Sequence, residues 1–321
     1  MPFQPSFHCL WCGRPWTTRG PDDLEGYARL CPDCVGKAGQ NGFLRFRLRT
    51  ALAERAAASG PAPERRARPA STATVTTTVE TRPDVALPVP PDDLAAELIA
   101  YYEARAGEYD DWYLRRGRYA HGPIHDQAWA AELDAATLWL DRQRIGGEIV
   151  ELAAGTGWWS PLLASKGELS ISDAASAPLD RARDRLLAHG LRAHIHVRDA
   201  WAEPDRTVDA LFCGFWLSHV PRGRLIDFLA LARRWLRPGG TFLFLDSRRD
   251  PASGAVDQPE TPEEELDAGV VRRRLGDGRE YRVVKVIYEP VELEVALRAA
   301  GFGNPGVSAT GRFFLLGRAE A

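Results

Sequence analysis

The chain has 321 residues, a formal net charge of −3 at pH 7 and 45% hydrophobic residues. This length indicates about two domains, and the apolar fraction is ordinary for a globular chain with a sizeable core. No apolar run reaches the ~18 residues of a membrane span, and no charged-then-apolar signal peptide opens the chain. We therefore expect a soluble, cytoplasmic protein without a membrane partner, whose oligomeric state the sequence leaves open.

Four of the five cysteines form two Cys-x-x-Cys pairs with eighteen residues between them. This spacing is typical of a four-thiolate zinc site, in which the ion replaces the hydrophobic core that so small a module lacks. Two disulfides are the alternative, which is disfavoured because nothing indicates export to an oxidising compartment. We predict a small zinc-ribbon or knuckle module at residues 1–56. Its zinc ligands are predicted to be Cys9, Cys12, Cys31 and Cys34.

The N-terminal region is basic, with eleven Lys/Arg against six Asp/Glu in residues 1–70. Residues 43–55 predict a short helix that exposes Arg45, Arg47 and Arg49. These arginines form either a solvated face or a contact to RNA phosphates or an acidic partner. Residues 57–91 are rich in Ala, Pro, Thr and Arg without an apolar period, which predicts a flexible linker.

Residues 92–321 are predicted to form a second domain, which begins with helices at residues 92–145. Asp92–Asp93 is typical of a helix start. Apolar and aromatic side chains then recur near helical spacing on one side of residues 94–116. This stripe consists of Leu98, Tyr102, Tyr109 and Tyr113. Core packing explains most of it, but we expect Tyr102 or Tyr109 to contact a ligand.

A glycine turn at residues 147–157 is the most informative segment of the chain. Ile149–Leu152 predicts a short buried strand, Gly155 and Gly157 a tight turn, and the apolar segment from Ser160 a helix. This arrangement begins a doubly wound α/β sheet that binds a nucleotide-like ligand. Glycine permits close approach of the ligand, and the amides of the helix start favour its negative group.

The pattern Glu151-x-x-x-Gly155-x-Gly157 resembles motif I of the class I S-adenosylmethionine (SAM)-dependent methyltransferases. A nicotinamide-binding loop more often has Gly or Ala where this chain has Ser160. Further motifs resemble the family over roughly residues 95–321. They are strands at Leu169–Asp173, His194–Arg198, Val208–Gly214 and Thr241–Asp246, and a closing antiparallel pair at Arg279–Tyr288 and Arg312–Leu316. The resemblance implies an α/β fold with a doubly wound, seven-stranded, mostly parallel sheet whose last strand is antiparallel.

The resemblance also implies a SAM site at the carboxyl ends of these strands. Asp173 is expected to accept hydrogen bonds from a ribose diol, Asp199–Ala200 to face the adenine, and Glu151 to lie near the methionine ammonium group. Aromatic side chains are expected near the sulfonium cation, which they attract without reacting. The predicted cofactor-binding residues are Glu151, Ala153, Gly155, Gly157, Asp173, Asp199, Ala200, Phe215 and Tyr102. The lid helices of residues 92–145 are expected to close over this site.

Methyl transfer needs alignment and water exclusion, and a general base only for a weakly nucleophilic acceptor. His219, in the loop after the fourth strand, is the leading candidate for that base; the alternative is a histidine that orients the loop. Tyr109 is the second catalytic candidate. Asp246, at the end of the fifth strand, is expected to face the same pocket. The loops at residues 115–130 and 247–275 are expected to set acceptor specificity.

Three functions stay open. The first is methylation of a small-molecule acceptor, favoured by the lid helix and by a pocket predicted to be rich in tryptophan, from Trp158, Trp159 and Trp216. The second is RNA methylation, because a zinc module ahead of such a domain resembles a bacterial ribosomal RNA guanine methyltransferase. The third is a SAM-binding, non-catalytic scaffold. Two minor motifs receive structural interpretations: Cys213 as an inert buried thiol, and His121 with His125 as a pair that does not bind metal.

Overall fold

The structure is a computed structural model that describes residues 6–9, 12, 14–37, 44, 48, 51–52, 55 and 92–321. The predicted linker at residues 57–91 lies outside the described residues, as do Arg45, Arg47 and Arg49. Within the predicted helix at residues 43–55, all five described residues are helical. Every helix in the described ranges is too short or too polar to cross a lipid bilayer.

The N-terminal module is a small hairpin followed by two short helices. Strand β1 (Ser6–His8) pairs antiparallel with β2 (Pro15–Thr17), and α1 (Leu24–Ala28) and α2 (Pro32–Gly36) follow. Its core contains three of the predicted ligand cysteines and only a few apolar side chains. So small a core contributes little stability by itself, which is the setting in which a bound metal stabilises a fold.

Three helices precede the main sheet: α3 (Asp92–Arg105), α4 (Tyr109–Leu114) and α5 (Pro123–Asp141). The helical spacing over residues 94–116 therefore spans two helices, because the chain breaks between α3 and α4. Gly107 lies in this break, and glycine is a poor helix former. The break changes the direction of the chain, so that tyrosines of both helices face the same space.

A seven-stranded sheet forms the centre of the second domain, in the order β10-β11-β7-β6-β3-β4-β5. The five strands from β7 to β5 are mutually parallel, and β11 is antiparallel to both of its neighbours. This arrangement confirms the predicted doubly wound sheet with its antiparallel last strand. The strands are β3 (Glu148–Leu152), β4 (Glu168–Asp173), β5 (His194–Val197), β6 (Val208–Gly214), β7 (Leu236–Ser247), β10 (Gly303–Ala309) and β11 (Phe314–Glu320).

Helices cover both faces of the sheet, and each face has its own hydrophobic core. On one face, α8 (Leu225–Arg234) and α10 (Pro290–Ala299) pack on the sheet. On the other face lie α5, the short α6 (Ser160–Ala164) and α7 (Ser176–Ala188). Buried on both faces, the inner strands read as nearly continuous apolar runs, which explains why they were recognisable in the sequence.

One predicted strand does not belong to the main sheet. The segment 279–288 was expected to close the sheet, but β9 (Glu280–Val284) pairs with β8 (Val270–Arg274) in a separate antiparallel hairpin. The short α9 (Glu263–Asp267) precedes this hairpin. Strand-like residues indicate a strand but not its partner, and here β9 pairs with β8, which is its neighbour in sequence, rather than with the main sheet. The Asp277–Gly278 dipeptide, a turn signal, marks the hairpin in the sequence.

Candidate active site

A first cavity of about 200 Å³ opens at the carboxyl ends of β3, β4 and β6. This edge of an open α/β sheet is where ligands bind, because the strand order reverses there. Most of the predicted site residues line this cavity. They are Tyr102, Tyr109, Ala153, Gly155, Asp173, Asp199, Ala200, Phe215 and His219. Glu151 and Gly157 are not among its lining residues.

The two glycines of the turn serve different purposes. Gly155 has φ +54°, and a Cβ there would lie 3.6 Å from Cζ of Tyr109, in the space between the turn and that ring. Gly157 has φ +69°, and a Cβ there would lie 2.7 Å from Cβ of Ala182 on α7. Gly155 therefore provides the left-handed backbone that the turn needs, whereas Gly157 lets α7 pack closely against the turn from behind.

Glu151 lies below the turn and is held by Ser160. The Ser160 hydroxyl donates a hydrogen bond of 2.5 Å to Oε2 of Glu151, and both side chains are buried. Burial raises the pKa of Glu151 to about 8. Ser160 thus replaces the third glycine of a dinucleotide site with a hydroxyl that orients a carboxyl group. The sequence showed the substitution but not this partner.

Asp173 supports the glycine turn as well as lining the cavity. Its Oδ2 accepts the Gly155 N–H at 2.9 Å, and its Oδ1 accepts the Ala175 N–H at 2.9 Å. Desolvation raises the pKa of Asp173 to about 6 in spite of these two hydrogen bonds. Each carboxylate oxygen keeps a second lone pair for a ligand. Nearby, Asp199 accepts the Trp201 N–H at 2.8 Å, which fixes the adjacent loop.

Two residues without the freedom of glycine adopt left-handed backbone conformations at the cavity. Ala153, with φ +50°, follows β3, and Phe215, with φ +61°, follows β6. Such conformations cost about 1–3 kcal/mol each and persist where the surrounding structure enforces them. For Phe215 the constraint includes an N–H···O bond of 2.7 Å to Leu245 and a buried ring. Strain of this kind is typical of a functional site.

His219 is locked between a backbone carbonyl and a tyrosine. Its Nδ1 lies 2.6 Å from the Val284 carbonyl oxygen, which can only accept, so Nδ1 carries the proton. Its Nε2 lies 2.7 Å from the Tyr102 hydroxyl, which therefore donates to it. Burial, followed by the positive charge of Lys285, lowers the pKa of His219 well below its usual value. The imidazole is therefore neutral, and the lone pair of its Nε2 already accepts the hydrogen bond from Tyr102.

A second cavity of about 380 Å³ lies on the other side of the same residues. Its walls come from the helices α3 and α4, from the loop after β7 and from the β8–β9 hairpin. The loops expected to set specificity contribute here, through Tyr119 and through residues 247–273. Four side chains line both cavities: Tyr102, Tyr109, Phe215 and His219. His219 and Tyr109, the two predicted catalytic residues, thus lie at the junction where the two cavities meet.

Lys285 lines the second cavity and was not identified from the sequence. Its Nζ donates to the hydroxyls of Ser218 at 2.8 Å and Ser247 at 3.1 Å, and lies 3.9 Å from Oδ1 of Asp246. Burial lowers the pKa of Lys285 to about 8. Asp246 itself is not in the lining of either cavity; it is 2% exposed and accepts the backbone N–H of Ser218.

The four predicted ligand cysteines come together in the N-terminal module. Their sulfurs all lie within 4.8 Å of one another, and those of Cys12 and Cys31 are 3.6 Å apart. No disulfide joins them. In a tetrahedral zinc–thiolate site with bonds of about 2.3 Å, neighbouring sulfurs lie roughly 3.8 Å apart, so the arrangement fits zinc. Arg14 donates to Cys12 Sγ at 3.4 Å and pairs with Asp33 at 2.6 Å.

The minor motifs have structural roles in the described residues. His121 Nε2 lies 2.8 Å from the Gly254 carbonyl oxygen, and His125 Nδ1 lies 3.3 Å from the guanidinium of Arg312. Cys213 is fully buried in the sheet, which raises the pKa of its thiol. His121 and His125 thus contact neighbouring groups of the protein, and Cys213 is enclosed in the sheet.

Comparison with known proteins gives one consistent result. A family model described as a methyltransferase domain matches residues 149–240. The ubiquinone/menaquinone biosynthesis C-methyltransferase UbiE of Coxiella burnetii is 34% identical over 113 residues, which are 33% of this chain and 44% of that protein. UbiE of Neisseria meningitidis serogroup B is 30% identical over 120 residues, 35% of this chain and 48% of that protein. The chain thus spans about half the length of the curated relatives it matches.

Two solved structures match over a larger part of the chain. The DhpI–SAH complex superposes with a TM-score of 0.55 at 30% identity, covering 70% of this chain and 96% of that chain. The DhpI–SAM–HEP complex superposes with a TM-score of 0.58 at 30% identity, covering 73% of this chain and 100% of that chain. The similarity therefore extends over a complete domain rather than over the glycine turn alone.

Proposed function

Because the chain belongs to the class I SAM-dependent methyltransferases, we propose that it transfers the cofactor's methyl group to a small molecule bound in the second cavity. One observation carries the proposal: Tyr102, Tyr109, Phe215 and His219 line both cavities. A methyl donor in the first cavity would therefore face an acceptor in the second across these four side chains. The curated relatives, named for ubiquinone and menaquinone biosynthesis, also support a small-molecule acceptor.

The residues of the first cavity fit SAM. Asp173 has free lone pairs for ribose hydroxyls, and Asp199 with Ala200 would border the adenine. Gly155 lines the cavity with φ +54°, so that backbone without a side chain would face the methionine part of the cofactor. The tyrosine rings suit the positive sulfonium group. When bound, SAM supplies an electrophilic methyl group, and the chain supplies orientation.

We assign His219 a positioning role rather than that of the general base. Proton transfer to Nε2 would create an imidazolium inside the protein, where burial and the charges of Lys285 and Arg273 oppose it. As a neutral acceptor, His219 instead fixes the Tyr102 hydroxyl at the junction. Phe215 and Tyr109 exclude water there. An NMR titration of His219 that showed ordinary protonation near its usual pKa would remove this assignment.

We further propose that Cys9, Cys12, Cys31 and Cys34 hold a structural zinc ion. Four thiolates leave no open coordination position, so this zinc has no part in methyl transfer. Arg14, hydrogen-bonded to Cys12, would neutralise part of the thiolate charge. Metal analysis should return about one zinc per chain. Retention of that zinc by both Cys12→Ser and Cys34→Ser would contradict the proposal.

Calorimetry with SAM tests the cofactor site directly. In Asp173→Ala the turn loses its brace and the ribose loses an acceptor, so affinity should fall by about tenfold to a hundredfold. Asp180→Ala is the matched control, because Asp180 is an exposed carboxylate on α7 that pairs only with Arg183. The absence of heat with the unmodified protein, or equal affinity in all three proteins, would refute the cofactor assignment.

A further inference from the structure

Arg105, the last residue of α3, is a buried cation without a carboxylate partner. It is 8% exposed, and its Nε is buried without a hydrogen-bond partner. No carboxylate of the described chain lies within ion-pair distance of its guanidinium group. Burial of a cation without an anion is unfavourable, so this charge calls for a partner other than the described residues, such as a bound ligand.

A cage of tyrosines holds this guanidinium group in place. Its central carbon lies 4.6 Å from the ring centre of Tyr109, 5.5 Å from that of Tyr101 and 5.6 Å from that of Tyr119. The ring centre of Tyr102 lies 6.0 Å away. Aromatic faces stabilise a cation but do not neutralise it. Arg105 is thus kept charged and oriented in the wall of the second cavity.

Two further cations face the same cavity from the β8–β9 hairpin. Arg273 lies on β8, and Lys285 directly follows β9. Among the residues that the structure describes, Arg273 has no ion pair, whereas Lys285 lies 3.9 Å from Asp246. The charges of Arg273 and Arg105 both disfavour protonation of Lys285, which shows that the three groups act on one another.

The remaining charges of this cavity do not compensate these three. Its lining contains two more basic residues, Arg248 and Arg249, and a single acidic residue, Asp250. Asp250 is already paired with Arg312 at 2.9 Å. The lining therefore has an excess of positive charge, which a neutral or cationic ligand would leave uncompensated.

The first cavity has the opposite character. Its charged lining consists of Asp173 and Asp199, with Arg224 as its basic residue. The guanidinium of Arg224 lies over the Trp201 ring at 4.3 Å. Arg105, Arg273 and Lys285 do not line this cavity. The cationic group therefore faces the acceptor side rather than the cofactor side.

We propose that the acceptor is a small anion whose carboxylate, phosphate or phosphonate group is bound by Arg105, Arg273 and Lys285. This inference rests on the proposed function, because it identifies the ligand class of the second cavity. It also agrees with the neutral state of His219 when the anionic oxygen is itself the nucleophile: the new O–CH₃ bond forms as the S–CH₃ bond breaks, and no proton has to be removed. Shape and aromatic contacts with Tyr102 and Phe215 would then select among anions.

The test is a binding measurement on the full chain, with and without a saturating concentration of S-adenosylhomocysteine (SAH), the demethylated cofactor. The probes are inorganic phosphate, methylphosphonate and benzoate, with benzamide as the uncharged match to benzoate. We expect at least one anion to bind, and benzoate to bind at least about tenfold more tightly than benzamide. The ratios among the anions show which anionic group the site prefers. If all three anions bind no more tightly than benzamide, the proposal is refuted.

Two variants connect the binding to the named residues. Arg273→Met and Arg105→Met should each weaken binding of the best anion at least about tenfold, and Arg105→Lys should restore part of the loss. Arg279→Met is the control, because Arg279 is an exposed arginine of the same hairpin that pairs with Asp277. Unchanged anion binding in Arg273→Met and Arg105→Met would overturn the proposal.

SAH affinity, measured on the same samples, distinguishes a failure of the anionic acceptor from a failure of the methyltransferase function. Unchanged SAH binding in Arg273→Met shows that the variant is folded. Should SAH bind while no anion does, the proposed anionic acceptor fails and the methyltransferase function stands. Should SAH fail to bind to the unmodified protein, the proposed function fails, and anion binding in the absence of SAH still tests the charge cluster.

Discussion

The two cavities share four side chains but are built in different ways. The first is formed by a backbone turn, by carboxylates at strand ends and by two strained residues, Ala153 and Phe215. The second is formed by side chains from separate segments, and its charge is positive where that of the first is negative. A cofactor that carries a sulfonium cation and an acceptor that carries an anion would each be drawn to its own side. Charge would therefore separate the two ligands between the cavities before differences in shape do.

The largest expected effect is on the free energy of unfolding, and it concerns the glycine turn that borders the first cavity. Gly157→Ala places a Cβ 2.7 Å from Ala182 at φ +69°. Strain and overpacking together should lower the free energy of unfolding by about 2–5 kcal/mol. Gly117→Ala is the control, because Gly117 has φ +53° and open space around it, and should cost about 1–2 kcal/mol. Thermal unfolding measures both, and equal destabilisation would show that α7 does not pack on the turn as described.

The pH dependence of SAM binding is the next largest effect. The pKa of Asp173 is raised to about 6, and only its ionised form accepts hydrogen bonds with both oxygens. SAM affinity should therefore be constant above pH 7 and fall by up to about tenfold per pH unit below 6. Asp173→Asn should bind more weakly and lose this dependence. Calorimetry between pH 5 and 8 checks the prediction, and a flat profile for the unmodified protein would contradict it.

Anion binding should show a smaller dependence of the opposite sign. The pKa of Lys285 is lowered to about 8, so this lysine loses its charge as the pH rises through that value. Arg105 and Arg273 stay charged and benzoate stays fully ionised, so affinity for benzoate should fall only about threefold to tenfold between pH 7 and 9. The other groups that face Lys285 are Ser218, Ser247, Asp246 and His219. Lys285→Met should flatten the profile; equal slopes in both proteins would assign the effect to another group.

Most of the first cavity could be predicted from the sequence, whereas of the second cavity only the loops that contribute to it could. Asp173 and Gly155 lie at fixed places in a strand–turn–helix unit, so their neighbours follow from local sequence. Arg105 looks in the sequence like an ordinary arginine near the end of a helix, and only the break after α3 turns it inward among tyrosines. Lys285 follows a strand that was assigned to the wrong sheet. Its surroundings depend on long-range contacts that no local pattern contains.

The interpretation of single motif residues shows the same limit. Gly157 belongs to the glycine turn, but only the position of Ala182 reveals that it serves helix packing. The position of His219 at the cavity could be predicted, yet its neutral state follows from Val284 and Lys285, which are distant in sequence. The RNA-binding and scaffold alternatives stay predictions, since Arg45, Arg47 and Arg49 lie outside the described residues.

The separate hairpin has a consequence for how this enzyme could be retargeted. Residues 248–289, between the end of β7 and the start of α10, supply Arg248, Arg273 and Lys285 without contributing a strand to the main sheet. Exchange of this segment would alter the acceptor wall while the hydrogen bonds that support the glycine turn stay intact. Residues 248–289 are thus a segment in which new acceptor preferences could arise, provided that Val284 keeps its contacts with His219 and with the first cavity.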